Sequence, residues 1–216
     1  MYKILLLIAL SYLAASCNNS GKKNSQIDSL TTHIDSTISG QDVDNLLQDS
    51  ILLTQSRQII KALKDGNYDS LSLFVHPEEG VRFSPYGSVL VKKDLVLKPE
   101  VIQSWKIKSK KTKMEWGSFD GNEKPINLTP DEYVKRFVYD VNFLNVDSVK
   151  VNRFIGTGNS MNNLLEVYPG TSFVEAYYPG PNNKYDAHEW RSLRLVYKLK
   201  DGKYMLVGII HDEWTT

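Results

Sequence analysis

Apolar positions recur at helical spacing in Leu46, Leu47, Ile51, Leu52, Ile59, Ile60 and Leu63, and Gly66 follows as a stop. The spacing predicts a helix that begins near Asp44. Asp69 or Ser70 caps a second, short helix over residues 71–75, closed by Pro77 and Gly80. The period then changes. Val81 and Phe83 alternate with Arg82 and Ser84, which predicts a strand over residues 81–86. Residues 89–91 and 95–97 read as short strands, and residues 99–105 as a short helix. Thr129-Pro130-Asp131-Glu132 is a helix start: threonine caps, proline suits the first turn and Glu132 closes a capping box. Tyr133, Val134, Phe137 and Val138 give that helix its apolar face.

Strands follow. Residues 148–155, 164–168 and 171–178 are three, the last bracketed by Pro169-Gly170 and Pro179-Gly180. Residues 191–199 and 204–213 are two more. Asp201-Gly202 between them is the strongest short-range signal for a β-hairpin. Counting outward from a two-residue turn sets Tyr197 opposite Leu206, Leu195 opposite Gly208, Leu193 opposite Ile210, Ser192 opposite His211 and Arg191 opposite Asp212. His211 then shares a face with Ser192, Arg194 and Val196. A one-residue slip would undo these pairings.

Helices first and long strands afterwards make an α+β domain with helices packed on a curved antiparallel sheet. The element order over residues 46–216 resembles the nuclear transport factor 2-like fold. That resemblance implies a bent sheet wrapped around a helix, leaving a cone-shaped cavity.

The start of the chain is of another kind. Lys3, the apolar run of residues 4–10 and the small residues Ala14, Ala15 and Ser16 form a secretory signal over residues 1–16. The apolar run is too short for a permanent span, which needs about 20 residues. Cys17 is the only cysteine, so no intrachain disulfide is possible. Ala14-Ala15-Ser16-Cys17 resembles a bacterial lipobox, which implies lipidation of Cys17 and a membrane anchor in the cell envelope. The polar, aromatic-free segment that follows, ending at residue 45, reads as a tether.

The chain has 26 basic and 25 acidic residues, and the signal carries only Lys3. Basic and acidic groups therefore balance in the mature chain, and no basic stripe marks a nucleic-acid partner. The densest basic run, residues 106–113, reads as a solvated edge.

The reactive side chains gather at the end. His211 and Glu213 alternate with Asp212 and Trp214. A Ser192–His211 contact would place a hydroxyl beside a base, but no nucleophile elbow surrounds Ser192. Glu175 lies mid-strand with Phe173 and Tyr177; it is either a general base among aromatics or a carboxylate neutralised by arginine. His76-Pro77-Glu78-Glu79-Gly80 has too few oxygen ligands for a calcium loop. Gly156-Thr157-Gly158-Asn159 lacks both nucleotide-binding patterns. Tyr168, Tyr177, Tyr178, Tyr185 and Trp190 crowd the segment before the last two strands.

Three strings, VHPEEGVRFSPYG, WGSFDGNEKPINLTPDEYVKRFVYD and WRSLRLVYKLKDGKYMLVGIIHDEWT, resemble a group of uncharacterised bacterial lipoproteins. The likeness spans about residues 74–216. It implies an exported, lipid-anchored domain and carries no catalytic residue. The expected function is a non-catalytic ligand-binding or scaffolding module, with no cofactor and no metal. Its expected ligand-binding residues are Arg82, Tyr86, Tyr139, Asp140, Trp190, Arg191, His211, Asp212 and Trp214. The alternative is a small hydrolase or isomerase using His211 with Glu175 or Asp212.

Overall fold

In the computed structural model, which describes residues 40–158, 161–181 and 189–214, the first helix α1 spans Gly40–Asp65. It starts inside the expected tether, which is therefore helical from Gly40 rather than polar coil up to residue 45. Leu52, Ser56, Ile59, Ile60 and Leu63 are its buried face. The stop at Gly66 is a Schellman turn: Gly66 has φ +62°, the Gly66 N–H donates to the Leu63 carbonyl and the Asn67 N–H to that of Ala62. Asn67 then caps α2 (Tyr68–Ser72) by accepting from the Ser70 N–H.

The strands are β1 (Val81–Ser84), β2 (Leu95–Leu97), β3 (Met114–Ser118), β4 (Pro125–Leu128), β5 (Ser148–Val151), β6 (Ser172–Tyr178), β7 (Arg191–Lys200) and β8 (Lys203–Glu213). The remaining helices are α3 (Pro99–Lys108), α4 (Pro130–Phe137) and α5 (Leu164–Val167), with a 3-10 turn at Phe143–Asn145. Six strands form one sheet in the order β2-β1-β8-β7-β6-β5, while β3 and β4 pair separately. The fold is α+β, as expected, but the sheet is mixed: β1 runs parallel to β8. No local turn joins those two strands to dictate their direction. The pairing instead extends a bridge before β1, where the Leu206 N–H donates to Phe74 and the His76 N–H to Leu206.

Several segments differ from the sequence reading. Residues 164–168 hold helix α5, not a strand. Residues 89–91 are not a strand but lead into a turn at residues 91–93, where the Asp94 carboxylate accepts from the Leu90 N–H at 2.8 Å. β5 stops at Val151 because Asn152 takes φ +51° and its side chain accepts the Phe173 N–H.

β7 and β8 pair antiparallel across Asp201-Gly202 with the expected register as far as Tyr197 opposite Leu206. Val196 then faces Gly208, so Val207 is an extra residue on β8. Beyond this bulge Leu193 faces His211, Ser192 faces Asp212 and Arg191 faces Glu213. One inserted residue exchanges the two faces of every residue after it. His211 therefore lies opposite Leu193 and not beside Ser192.

Each sheet face has its own apolar layer. On one, Leu193, Leu195, Tyr197 and Ile209 pack with α1 and with an aromatic cluster from β1, α3, β3 and α4. Trp116 stacks on Tyr133 at 4.0 Å between ring centroids, and Phe83 meets both edge-on. Trp105, Trp116, Tyr133, Phe137 and Phe83 are all essentially inaccessible to solvent. On the other face Phe173, Val196, Val207 and Ile210 pack with Val89, Leu164, Phe154 and Tyr168. We call these the helix face and the loop face. Among the described residues no helix is long and apolar enough to cross a membrane.

Helix α4 orients the aromatic cluster, and its start is capped as its sequence requires. Thr129 accepts from the Glu132 N–H, and the Glu132 carboxylate accepts from the Thr129 N–H at 2.8 Å. Thr129→Ala removes this reciprocal cap. We expect a loss of about 1 kcal/mol in urea-denaturation stability, with no change in the far-ultraviolet spectrum of the folded state.

Candidate functional site

Successive residues at the end of β8 alternate faces and the bulge at Val207 decides which goes where, so the terminal polar stretch builds two clusters, one on each side of the sheet.

The helix-face cluster contains His211 and Glu213 from β8, Arg191 from β7, Asp140 just after α4, and Arg136 from α4 itself. His211 is fully buried. Its Nε2 lies 3.2 Å from Asp140 Oδ2 and its Nδ1 3.3 Å from the Pro85 carbonyl oxygen. Both partners are oxygen acceptors. Arg191 Nε stands between two carboxylates, 3.0 Å from Asp140 Oδ2 and 3.1 Å from Glu213 Oε2. Arg136 Nη2 donates to Glu213 Oε1 at 2.7 Å, with its guanidinium 4.5 Å from the centre of the Phe137 ring. Burial pushes the Asp140 carboxyl up, but the His211 contact and the Arg191 charge outweigh it and hold Asp140 below the usual carboxylate range.

The loop-face cluster is buried more deeply. Glu175, Ser192 and Arg194 have no solvent exposure. The Glu175 carboxylate accepts from Ser192 Oγ, from Arg194 Nε at 3.1 Å, and from the N–H groups of Ile155 and Gly156. Arg194 Nη2 donates to the Gly156 carbonyl at 3.0 Å and meets Asp212 Oδ2 at 2.8 Å. The network straps residues 153–158 across the sheet. Trp190 closes it: a Cβ on Gly156 or Gly158 would fall 2.9 or 2.7 Å from the Trp190 ring. Gly87 has the same role against Asp212, whose carboxylate lies 2.6 Å from the position a Cβ would take.

The expected binding residues therefore divide. Asp140, Arg191 and His211 come together. Asp212 is on the opposite face, paired with Arg194 rather than with Arg191. Trp190 is buried beneath the strap. Tyr86 packs edge-on to Phe137 and lines a separate cleft of about 320 Å³ beside the β3–β4 turn. Tyr139 donates to Asn142 and lines another cleft near Tyr68. Arg82 donates to the Val91 and Asp94 carbonyls, far from the clusters in its hydrogen bonding. Trp214 follows β8, partly exposed. Cys17, the signal, Tyr185 and Asn159 lie outside the described residues. Glu213 is among the reactive side chains read from the end of the chain, whereas Arg136 and Arg194 are not among the residues read as a site. The cross-strand pairing of Arg194 with Glu175 would have identified one of them.

This arrangement suits charge neutralisation better than catalysis. Strand alternation and the bulge separate His211 from Glu175 and Asp212, so neither carboxylate can orient it. Ser192 donates to Glu175 on the far face, which leaves His211 without the expected hydroxyl partner. Asp140, His211 and Glu213 each offer a ligand atom within 4.8 Å of the others. However, Arg191 already stands between the two carboxylates, so a divalent cation would have to displace a guanidinium from low-dielectric surroundings.

Another buried carboxyl, Asp94, accepts from Ser84 Oγ at 2.6 Å, while its Oδ1 has no hydrogen-bond partner. Burial pushes it up to about 6, against the opposing effects of Ser84, Leu90 and Arg82.

Two measurements follow. Arg194→Met strands Glu175 and Asp212 without a buried cation. We expect a loss of about 3–5 kcal/mol in chemical denaturation, partly restored when Glu175→Gln is added. Stability equal to that of the parent would refute the account of this cluster. For Asp94 the folded-state value is raised, so its stabilising contribution is complete below about pH 4 and is lost as pH rises through about 6. Between pH 4 and 7 the parent should lose on the order of 3 kcal/mol relative to Asp94→Asn, read from paired denaturation curves.

No family model matches the chain, and no curated protein is detectably similar to it.

Proposed function

We propose that this chain is a lipid-anchored protein of the bacterial envelope whose domain works as a non-catalytic scaffolding module through its outer surface. The observation that carries this reading is where space and apolar surface lie. Trp105, Trp116, Tyr133, Phe137 and Phe83 fill the helix face, and arginines occupy the polar end beside His211. A cone of the nuclear transport factor 2-like kind is the finer architecture we propose. Its support is the element order, two helices then β1, β2 and α3 before the long final strands, together with the continuous six-stranded sheet. In this chain that cone is packed shut. The open apolar space is outside, in a groove of about 510 Å³ between α1, the end of α2 and the β7–β8 turn. Exposed Leu73 and Ile51 stand on its walls. Membership of the lipoprotein group and lipidation of Cys17 are part of the same proposal. Membership rests on the three strings within residues 74–216, and lipidation on the signal-like run before the lone cysteine.

Native electrophoresis of mildly solubilised membranes tests the reading. The full-length chain should migrate in a complex above its own mass, and Cys17→Ser should release it from the membrane fraction. Ile51→Asp and Leu73→Asp, at exposed positions, should dissolve the complex. His211→Gln should lower stability yet leave the complex assembled. A complex indifferent to both surface variants would overturn the proposal.

A further inference from the structure

Helix α1 has two apolar faces. One, through Leu52, Ser56, Ile59 and Leu63, is buried against the domain. The second belongs to the first half of the helix. Val43, Leu46, Leu47 and Ile51 are 53, 65, 60 and 45 % exposed. Val43, Leu47, Ile51, Thr54 and Gln58 follow one another at intervals of four, four, three and four residues, the spacing of a helix-pairing stripe. The second half of that stripe, from Ile51 to Gln58, lines the 510 Å³ groove with Leu73, Phe74 and Met205. The apolar knobs thus precede the groove on a single helix. A two-fold axis near Ile51 would lay the knobs of each copy in the groove of the other, which is the self-complementarity a closed dimer requires.

Charge selects the same occupant. The projecting turns carry Asp42, Asp44 and Asp49, and no basic residue occurs between Gly40 and Ser56. Such a helix is poorly suited to an anionic lipid surface, where interfacial helices are rich in lysine and arginine. Lys203, exposed in the β7–β8 turn, lies on the wall of the groove. In an antiparallel pair Asp44 is on the flank that meets the partner copy's groove wall, so the acidic end of one helix approaches the basic rim of the other.

We infer that a second copy of this chain docks here, with the two α1 helices antiparallel and the first three turns of each in the groove of the other. This rests on the scaffolding reading and names its partner. The test uses the full-length chain in membranes carrying Ile51→Cys, a position that meets its own copy across the axis; Cys17 is the only native cysteine. Mild oxidation should yield a linked species of twice the chain mass at least tenfold above that of the parent and of Lys64→Cys. Adding Leu47→Asp should remove it, with circular dichroism unchanged. Linkage no greater than in Lys64→Cys overturns the inference. Adducts formed only with a different polypeptide overturn it too, while leaving the scaffolding reading standing. If neither adduct forms and native electrophoresis shows a single chain, both fall. Flotation of the non-linked Cys17→Ser chain with phosphatidylethanolamine vesicles, abolished by Leu47→Asp, would assign the face to lipid and equally overturn it.

Discussion

One extra residue, Val207, decides what the last strand does. Without it, His211 and Glu213 would face the loop layer, and Asp212 would face the aromatic cluster. With it, His211 reaches Asp140 and the Pro85 carbonyl, Glu213 reaches two arginines, and Asp212 reaches Arg194. Side-chain direction in a strand has period two, so a single insertion is the smallest change that re-sorts all of them. Gly208 follows the bulge, where Val196 and the Tyr168 hydroxyl approach so closely that a Cβ would stand only 3.1 and 3.3 Å away.

The result is two ionic clusters back to back across one sheet. Buried ion pairs seldom add much net stability, because desolvation offsets their attraction, but breaking one leaves an uncompensated charge. Their consequence here is positional. Glu175 accepts two backbone N–H groups of the strap that crosses the loop face, while Arg191 ties Asp140 after α4 to Glu213 on β8. The clusters thus join segments far apart in sequence, and any slip of register separates every partner at once.

Much of this was legible in the chain. The capping box of α4, the Gly66 stop, strands β1, β2 and β6 and the pairing of β7 with β8 through Tyr197 all follow from local chemistry. The gathering of Asp140, Arg191 and His211 was half visible, since each ends an element. What was not legible depends on distant contacts. The run at 164–168 is apolar and short, so periodicity alone cannot separate helix from strand. Asn163 exchanges hydrogen bonds with Val89, and that tie secures the turn before α5. The only local signal of the bulge is Gly208, an isolated glycine within a strand pattern, since Val207 itself is a good strand residue. Arg194 reads as one more alternating polar residue, because its partners Glu175 and Asp212 come to it only through the pairing of three strands.

Helix α1 shows how a closed interior and an open surface arise from the same pattern. Its apolar residues were read as a single face from Leu46 to Leu63, yet burial begins only at Leu52. The earlier positions belong to a second stripe, roughly opposite the first, on turns whose side chains are exposed. Fully burying a leucine or valine side chain is worth about 1.5–3 kcal/mol, so leaving Val43, Leu46 and Leu47 in water forgoes several kcal/mol that this domain alone does not recover. A monomer optimised for itself would place polar residues there, as α1 does at Arg57, Lys61 and Lys64. The change along one helix, from apolar outside to charged outside, is where the docking surface we propose ends.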